Sequence, residues 1–229
     1  MKLNRILSSV ALSALLVTPA AAQRQFDITT KPGAPVQSTM YGIFFEDINF
    51  GADGGLYAEM VENRSFEFPN RLMGWNTWGN VSVSSIKPAF DRNPNYVVLE
   101  PSGHREKSTG LENRGFFGMG LKKGMKYNFS VYGRLHLLNG KQAKIRVELV
   151  DENNNPMERK SITITNNQWK KYSVELTSKQ TLQKGYMRIF LEGNESVDLD
   201  HVSMFPADNW NGLRADLVKD LEDLHPGIF

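Results

Sequence analysis

Short segments with alternating apolar and polar residues dominate the middle of the chain. Between residues 70 and 205 these segments are separated by Gly, Asn, Pro and Lys turns, and Tyr127, Phe129 and Val131 are one example, with polar residues between them. Because successive side chains of a strand point to opposite faces, each segment offers one apolar face to a core. The pattern predicts an antiparallel β-sandwich.

Roughly eight strands are predicted, which is enough for two packed sheets around one core. Residues 151–156, with the sequence DENNNP, predict a turn between two of them. The predicted strands cover residues 95–100, 116–121, 127–131, 145–149, 161–165, 172–176, 187–191 and 197–205.

Two different patterns flank the predicted sandwich. Residues 41–45 form an apolar run without alternation, which is typical of a strand buried on both faces in a parallel barrel or sheet. After Asn209, leucines recur at helical spacing up to a Pro-Gly pair at 226–227, which predicts an amphipathic helix that ends there. Its buried stripe is predicted to contain Leu213, Leu217, Leu221 and Leu224.

The first residues have the composition of a secretory signal peptide. Lys2 and Arg5 precede an apolar run over residues 6–17, and three alanines follow at 20–22. The run is too short to span a membrane stably, and the alternative of an N-terminal helix of the folded domain lacks an amphipathic period. We therefore expect cleavage after Ala22 and a secreted or periplasmic bacterial protein.

Charge and cysteine content restrict the partners. Residues 1–22 contain two cationic residues and no acidic one, so the chain after cleavage carries equal numbers of each sign. This balance does not favour nucleic acid or an anionic membrane, and it suits a neutral polysaccharide. The absence of cysteine excludes disulfides and thiolate chemistry, and four scattered histidines do not predict a zinc site, so no cofactor is expected to be required.

One stretch, YGIFFEDINFGADGGLYAEMVENRSFEF at residues 41–68, resembles the N-terminal signature of α-L-arabinofuranosidases of glycoside hydrolase family 51. The resemblance implies a (β/α)8 barrel with an accessory β-sandwich. It also implies retaining hydrolysis, by two glutamates on later barrel strands, of terminal non-reducing arabinofuranosyl residues of arabinoxylan or arabinan. Residues 207–229 resemble the first barrel helix and the approach to the second strand of that family.

Glu46 is the site residue that this resemblance indicates. It follows the predicted strand at 41–45, and ligands of barrels gather at the carboxyl ends of strands. Neighbouring strand residues point to opposite faces, so Glu46 and Asp47 cannot form the carboxylate pair of a glycosidase. The residues alone leave Glu46 either as an acceptor for substrate hydroxyls or as a structural carboxylate. The resemblance implies a contact with the arabinofuranosyl ring.

The ends of the sandwich region, residues 63–75 and 197–206, resemble the first and last strands of jelly-roll carbohydrate-binding modules of families 4 and 9. Modules of that fold often hold a structural calcium ion through backbone carbonyls and a carboxylate of the closing strand, which implicates Asp200 and Glu67. The alternative is that Asp198 and Asp200 are solvated at a sheet edge.

Aromatic residues are the candidates for sugar contact, because a ring face can cover the C–H face of a sugar. Trp75 and Trp78 are candidate platforms that could equally pack in the core, and Trp169 is expected in the core. The sandwich could therefore bind sugar or serve only as an architectural insert.

The predicted fold is mostly β, with an antiparallel jelly-roll sandwich inserted after the first strand of an incomplete (β/α)8 barrel. The predicted domains are a signal peptide (1–22), an N-terminal strand and first barrel strand with its loop (23–69), the sandwich (70–206), and the first barrel helix with the start of the second strand (207–229). Neither catalytic glutamate can be placed. We therefore expect an inactive N-terminal fragment of a secreted arabinofuranosidase that acts on arabinose-containing plant polysaccharide. The alternatives are a non-catalytic carbohydrate-binding sandwich and a structural sandwich without a ligand.

Overall fold

The computed structural model describes residues 31–102, 108–137 and 141–228, so the predicted signal peptide lies outside the described residues. The chain divides into two compact units, residues 1–37 and 38–229. In the first unit, residues 31–37 are exposed and form no helix or strand. No helix in the described ranges is long and apolar enough to cross a membrane.

The described part of the second unit contains a short 3-10 helix (Ser38–Met40), eleven strands and one α-helix, α1 (Ala215–Leu224). The strands are β1 (Trp75–Trp78), β2 (Asn80–Ser84), β3 (Tyr96–Glu100), β4 (Gly110–Asn113), β5 (Met119–Leu121), β6 (Lys126–Leu135), β7 (Ala143–Val150), β8 (Pro156–Ile164), β9 (Lys170–Thr177), β10 (Leu182–Glu192) and β11 (Val197–Pro206).

The strands form two antiparallel sheets that pack face to face. One sheet has the order β1-β4-β10-β7-β8, with β5 paired to the first residues of β10, and the other has the order β2-β3-β11-β6-β9. Apolar residues of both sheets, among them Leu99, Phe129, Ile145 and Ile189, form one buried cluster. The predicted antiparallel sandwich is confirmed.

All eight predicted strands are present, and three further strands, β1, β2 and β4, were not predicted. The four residues of β4 are all buried, so they show no alternation that a sequence pattern could reveal. The turn at 151–156 is confirmed, because Asp151 Oδ1 accepts hydrogen bonds from the backbone N–H groups of Asn153 and Asn155 at 2.9 and 2.8 Å. These hydrogen bonds lower the pKa of the Asp151 carboxyl group, and the bond from Asn155 N–H makes the largest contribution.

Residues 63–75 do not form the first strand of the sandwich, contrary to the prediction. Asn63 and Phe66 have φ values of 51° and 58°, which a strand cannot accommodate, and the segment folds into turns. Phe66 is nevertheless buried in the core, where its ring lies 5.3 Å from that of Trp75. Phe66 and Trp75 therefore join the core although residues 63–74 form no strand.

A buried amide, Asn113, joins this segment to β4. Its Oδ1 accepts hydrogen bonds from the backbone N–H groups of Glu62 and Gly115, at 3.2 and 2.9 Å. Its Nδ2 donates to the backbone carbonyls of Glu62 and Gly74, at 2.9 and 3.2 Å. The side chain is completely buried and uses all four of its hydrogen-bonding positions.

The flanking barrel elements differ from the prediction. Residues 41–45 form no strand, and Phe44 is 86% exposed. The backbone of this segment is instead bonded to the chain beyond α1: Ile43 N–H donates to the Ile228 carbonyl at 2.9 Å, and Gly227 N–H donates to the Tyr41 carbonyl at 3.2 Å. Both partners advance in the same chain direction, as in a parallel pair. The segment is therefore not buried on both faces within the described chain: Ile43 is half-buried and Ile228 packs against Gly42, but Phe44 and Phe45 are exposed.

The helix is confirmed as α1, and it ends where His225 adopts a left-handed conformation with φ 46°. Leu213 was predicted to lie in the helix but precedes α1, and the remaining leucines of the predicted stripe are only partly covered within the described chain. Leu217 and Leu221 are half-buried, and Leu224 is 51% exposed. The apolar face of α1 therefore lacks a complete partner within the described chain.

The substitution Asn113→Ala tests the role of the buried amide. We expect it to lower the free energy of unfolding by about 3 kcal/mol, because it leaves several buried backbone groups without partners. Chemical denaturation measures this loss. Asn167→Ala, at an exposed position in the turn before β9, is the control and should change stability by less than about 0.5 kcal/mol. Equal effects of the two variants would contradict the assignment.

Candidate functional site

Glu46 begins an exposed loop that backbone hydrogen bonds shape. The Glu46 carbonyl accepts from Ile48 N–H at 2.9 Å, and Gly51 N–H donates to the Ile48 carbonyl at 3.0 Å. Asp47 has a structural role, because its Oδ1 accepts from Ala52 N–H at 3.0 Å. Among the described residues, no hydrogen bond or ion pair holds the Glu46 carboxylate, so the loop presents it to solvent.

The two candidate tryptophan platforms lie on opposite faces of β1. Trp75 is only 7% exposed and its Nε1 donates to the Asn63 carbonyl at 3.0 Å, so the proposal that it stacks on sugar is wrong. Trp78 is half-buried on the outer face of the six-stranded sheet, where its ring lies 5.2 Å from Phe190. It also covers Gly110, since a Cβ there would lie 2.6 Å from the Trp78 ring. The structure does not bring the two tryptophans together.

Trp169 is not in the core between the sheets, contrary to expectation. It is half-buried, and its ring lies 5.1 Å from Tyr96 and 4.5 Å from the guanidinium of Arg134. Its Nε1 donates to the Lys87 carbonyl at 3.0 Å, and Arg134 Nη1 donates to the same carbonyl at 2.8 Å. Trp169 and Arg134 therefore hold the loop that contains Lys87.

Asp198, on β11, holds Arg134 in place. It is completely buried, Arg134 Nε donates to its Oδ2 at 2.7 Å, and His136 Nδ1 lies 2.6 Å from its Oδ1. Asp200 is also completely buried. The alternative that Asp198 and Asp200 are solvated at an edge is therefore wrong.

A groove of about 670 Å³ lies beside these residues, across β6, β9 and β11. Its walls include Ser130, Lys171, Ser173 and His201, and Arg64 from the segment before β1 also contributes. We call this cavity the sheet groove. The alternation in β6 and β9 indicated which residues point outwards, but it could not reveal that these strands, which are not consecutive, are neighbours.

His201 gives the sheet groove a buried polar group without a protein partner. Its Nε2 makes no hydrogen bond within the described ranges, and the ring packs against Phe90 at 4.3 Å. Burial, and secondarily the nearby charge of Arg64, lower the pKa of His201. A neutral imidazole that lines a groove can exchange a hydrogen bond with a ligand hydroxyl.

Asp200 and Glu67 are the residues predicted to hold calcium. Asp200 Oδ1 accepts from His201 N–H at 2.6 Å, whereas its Oδ2 is buried without a partner in the described chain. Burial raises the pKa of Asp200 to about 7, and the charge of Glu67 adds to the shift. Glu67 Oε1 accepts from Asn95 N–H at 2.8 Å.

The unbonded oxygen of Asp200 fits a hard cation, which prefers carboxylate and carbonyl oxygens. However, the described residues contain no group of three or more His, Cys, Asp or Glu side chains that could hold a metal. Backbone carbonyls would have to complete the ligand set. The calcium site at Asp200 and Glu67 stays a prediction.

The raised pKa of Asp200 gives this prediction a test. The folded state binds an extra proton between the ordinary value of 3.8 and about 7, so the unfolding free energy falls as the pH rises through this window. Between pH 5 and pH 8 in chelator, we expect the stability of Asp200→Asn to rise relative to that of the unsubstituted protein by about 2.6 kcal/mol. Thermal melting in chelator and in calcium measures both effects.

Calcium should raise the melting temperature of the unsubstituted protein at pH 8 and leave Asp200→Asn unchanged. Asp151→Asn is a control for a carboxylate whose pKa is lowered by turn hydrogen bonds. It should lose stability at pH 8, with no response to calcium. A calcium response that survives Asp200→Asn would rule out this ligand assignment.

Comparisons with known proteins agree with this architecture. Residues 58–197 match the family model of the carbohydrate binding domain. The chain is 35% identical over 241 residues to an extracellular exo-α-L-arabinofuranosidase of Streptomyces chartreusis, which covers 96% of this chain and 28% of that protein. It is 29% identical over 227 residues to α-L-arabinofuranosidase 1 of Arabidopsis thaliana, which covers 90% of this chain and 33% of that protein.

A solved structure, that of arabinose-bound MgGH51 α-L-arabinofuranosidase, aligns with a TM-score of 0.72 and 26% sequence identity. The alignment covers 86% of this chain and 34% of that chain. The chain thus spans about a third of the length of the relatives that it matches. The predicted resemblances to arabinofuranosidases and to carbohydrate-binding modules are confirmed.

Proposed function

Because the chain belongs to the carbohydrate binding domain family and is homologous to α-L-arabinofuranosidases, we propose that it is the N-terminal portion of a secreted retaining α-L-arabinofuranosidase. The substrate is an arabinose-containing plant polysaccharide, arabinoxylan or arabinan, from which terminal non-reducing arabinofuranosyl groups are hydrolysed. The chain enters a bacterial secretion route through residues 1–22.

One observation carries this proposal: within the described chain the Glu46 carboxylate has no partner, and it follows a segment whose backbone hydrogen bonds to residues 227 and 228 run in the same chain direction, as in a parallel pair. A parallel pair is the unit of a barrel, and barrel ligands lie at the carboxyl ends of strands. An unbonded carboxylate there can accept hydrogen bonds from sugar hydroxyls. This favours the substrate-binding interpretation of Glu46 over the structural one.

The exposed apolar residues support the same proposal. Phe44, Ile48, Leu224 and Ile228 are all more than half exposed and lie near the paired segments or on α1. Monomeric proteins rarely leave such residues together in water, and further barrel elements would cover them. We therefore place the catalytic acid/base and nucleophile outside these 229 residues.

Three buried carboxylates of the sandwich are occupied by structural partners, whereas Asp200 keeps one unbonded oxygen within the described chain. Glu112 bonds to Arg188 Nε at 3.0 Å, and Glu148 bonds to Arg146 Nε at 2.9 Å. Asp198 is held by Arg134. Carboxylates that are neutralised in this way are poor candidates for a general acid or a nucleophile, so we expect the 229 residues alone to lack hydrolase activity.

The substitution Glu46→Gln in the complete gene product tests the proposal. We expect kcat/KM on an aryl α-L-arabinofuranoside to fall at least a hundredfold, which corresponds to about 2.7 kcal/mol of lost transition-state stabilisation. Glu100→Gln, at an exposed position on β3, is the control and should keep its activity. Unchanged turnover in Glu46→Gln would remove the proposed role of this residue.

The sheet groove favours a second candidate function, a carbohydrate-binding sandwich that needs no catalysis. Its volume of about 670 Å³ is within the usual range of ligand sites, and its walls combine hydroxyl, amine and imidazole groups with aromatic rings. Such a mixture suits sugar hydroxyls.

Filling the groove tests this second function. Ser173 is exposed on β9 and lines the groove, so Ser173→Trp should weaken the Kd for arabino- and xylo-oligosaccharides by about tenfold or more, measured by calorimetry. Ser161→Trp places the same ring on exposed β8 of the other sheet and should leave binding unchanged. No binding to the unsubstituted protein would leave the sandwich with an architectural role.

A further inference from the structure

A second cavity, of about 470 Å³, lies where the sandwich meets the Glu46 loop. Its walls come from the loop after Glu46, from the turn between β4 and β5, and from the chain that leads into α1. We call it the junction cavity. None of the sequence patterns indicated it, because its residues are far apart along the chain.

The turn between β4 and β5 carries two phenylalanines, and close backbone contacts hold it in place. Gly115 and Gly118 flank the pair with φ values of 66° and 99°. A Cβ at Gly115 would lie 2.8 Å from the Met60 carbonyl, and one at Gly118 would lie 2.9 Å from Lys184 Cα. The turn is therefore fixed against the sandwich.

Phe116 and Phe117 join this turn to the Glu46 loop. The Phe116 ring lies against Gly54, where a Cβ would be 2.3 Å from the ring, and its centroid is 5.0 Å from that of Phe50. Phe117 meets Phe50 edge-on at 5.9 Å. Phe50 has a φ of 63°, a conformation that is costly for a bulky residue and that tertiary contacts must maintain. The three rings thus connect the sandwich to the loop that presents Glu46.

Phe117 is the exposed member of this group. It is 75% exposed although it lines the junction cavity, whereas Phe116 is half-buried. Its ring makes little contribution to the core. A largely exposed ring on a fixed turn is the form in which proteins present an aromatic platform to a ligand.

The junction cavity also has a polar lining. Its charged residues are Lys122 and Arg214, and the carboxylates of Glu59, Asp208 and Asp216. Arg214 and Asp216 pair with each other, with Nε 3.1 Å from Oδ1, which lowers the pKa of Asp216. Two cations do not outnumber three carboxylates, one of which, Glu59, already accepts hydrogen bonds from Val61, Met204 and Ser203. This lining has no excess of positive charge for a phosphate or an acidic sugar and favours a neutral ligand with many hydroxyl groups.

We propose that the junction cavity is an accessory subsite that binds neutral pentose units of the polysaccharide beyond the unit held at Glu46, with Phe117 as its stacking platform. This inference rests on the proposed function for its connection to Glu46. Phe50 provides that connection, since it belongs to the same loop and contacts both phenylalanines of the sandwich. The inserted sandwich would then determine which polymer the enzyme prefers.

Hydrolysis by the complete gene product gives the first test. We expect Phe117→Ala to lower the ratio of kcat/KM on arabinoxylan to kcat/KM on an aryl arabinofuranoside by about tenfold. Trp210→Ala, an exposed aromatic residue that lines neither cavity, should keep the ratio. Turnover of the aryl substrate with an unchanged ratio in Phe117→Ala would overturn the subsite and leave the proposed function intact.

Direct binding gives the second test and does not depend on catalysis. In a Ser173→Trp background, which closes the sheet groove, xylo- and arabino-oligosaccharides are titrated by calorimetry. We expect binding that Phe117→Ala weakens by about tenfold. No binding in this background would overturn the subsite. The two proposals can also fail separately. If Phe117→Ala loses binding but the unsubstituted protein hydrolyses neither substrate, the result supports the subsite and rejects the proposed arabinofuranosidase activity.

Discussion

The buried carboxylate of Glu59 holds the chain before the sandwich to the closing strand β11. Its Oε1 accepts from Val61 N–H at 3.0 Å and from Met204 N–H at 2.9 Å, and its Oε2 accepts from Ser203 Oγ at 2.7 Å. Arg64 lies 3.4 Å from the same Oε2. Burial raises the pKa of Glu59 although these donors oppose the shift. A substitution that removes one partner of Glu59 would leave a buried negative charge that is not fully compensated, and its desolvation would destabilise the fold strongly.

Both cavities depend on this attachment. Glu59 itself lines the junction cavity, and its partners Arg64 and Ser203 line the sheet groove. A backbone hydrogen bond joins the same two segments, because Met60 N–H donates to the Met204 carbonyl of β11 at 3.0 Å. The loop of Glu46 is therefore positioned by the sandwich and not only by the backbone bonds of residues 41 and 43 to residues 227 and 228. A domain inserted in this way can influence a site to which it contributes no catalytic group.

Strands were predicted correctly where the apolar residues that alternate in the sequence are also the ones that are buried in the structure. Phe129 and Ile145 lie in strands whose apolar residues alternate cleanly, and both strands were predicted. The prediction failed where conformation departs from the local pattern. Asn63 and Phe66 were placed in a strand, but tertiary contacts hold both at positive φ. Trp75 was a candidate platform because its side chain is aromatic, and only the structure shows that Phe66 and Asn63 bury it.

The sequence by itself determined the sandwich, the helix α1 and the family, because periodicity and a contiguous motif are local properties of the chain. The tertiary structure decided which strands are neighbours, which carboxylates are buried, and which rings meet across the two cavities. These features depend on contacts between residues far apart along the chain, such as Phe50 with Phe117 and Glu59 with Met204. No local pattern records such contacts, since only packing of the whole core brings the partners together.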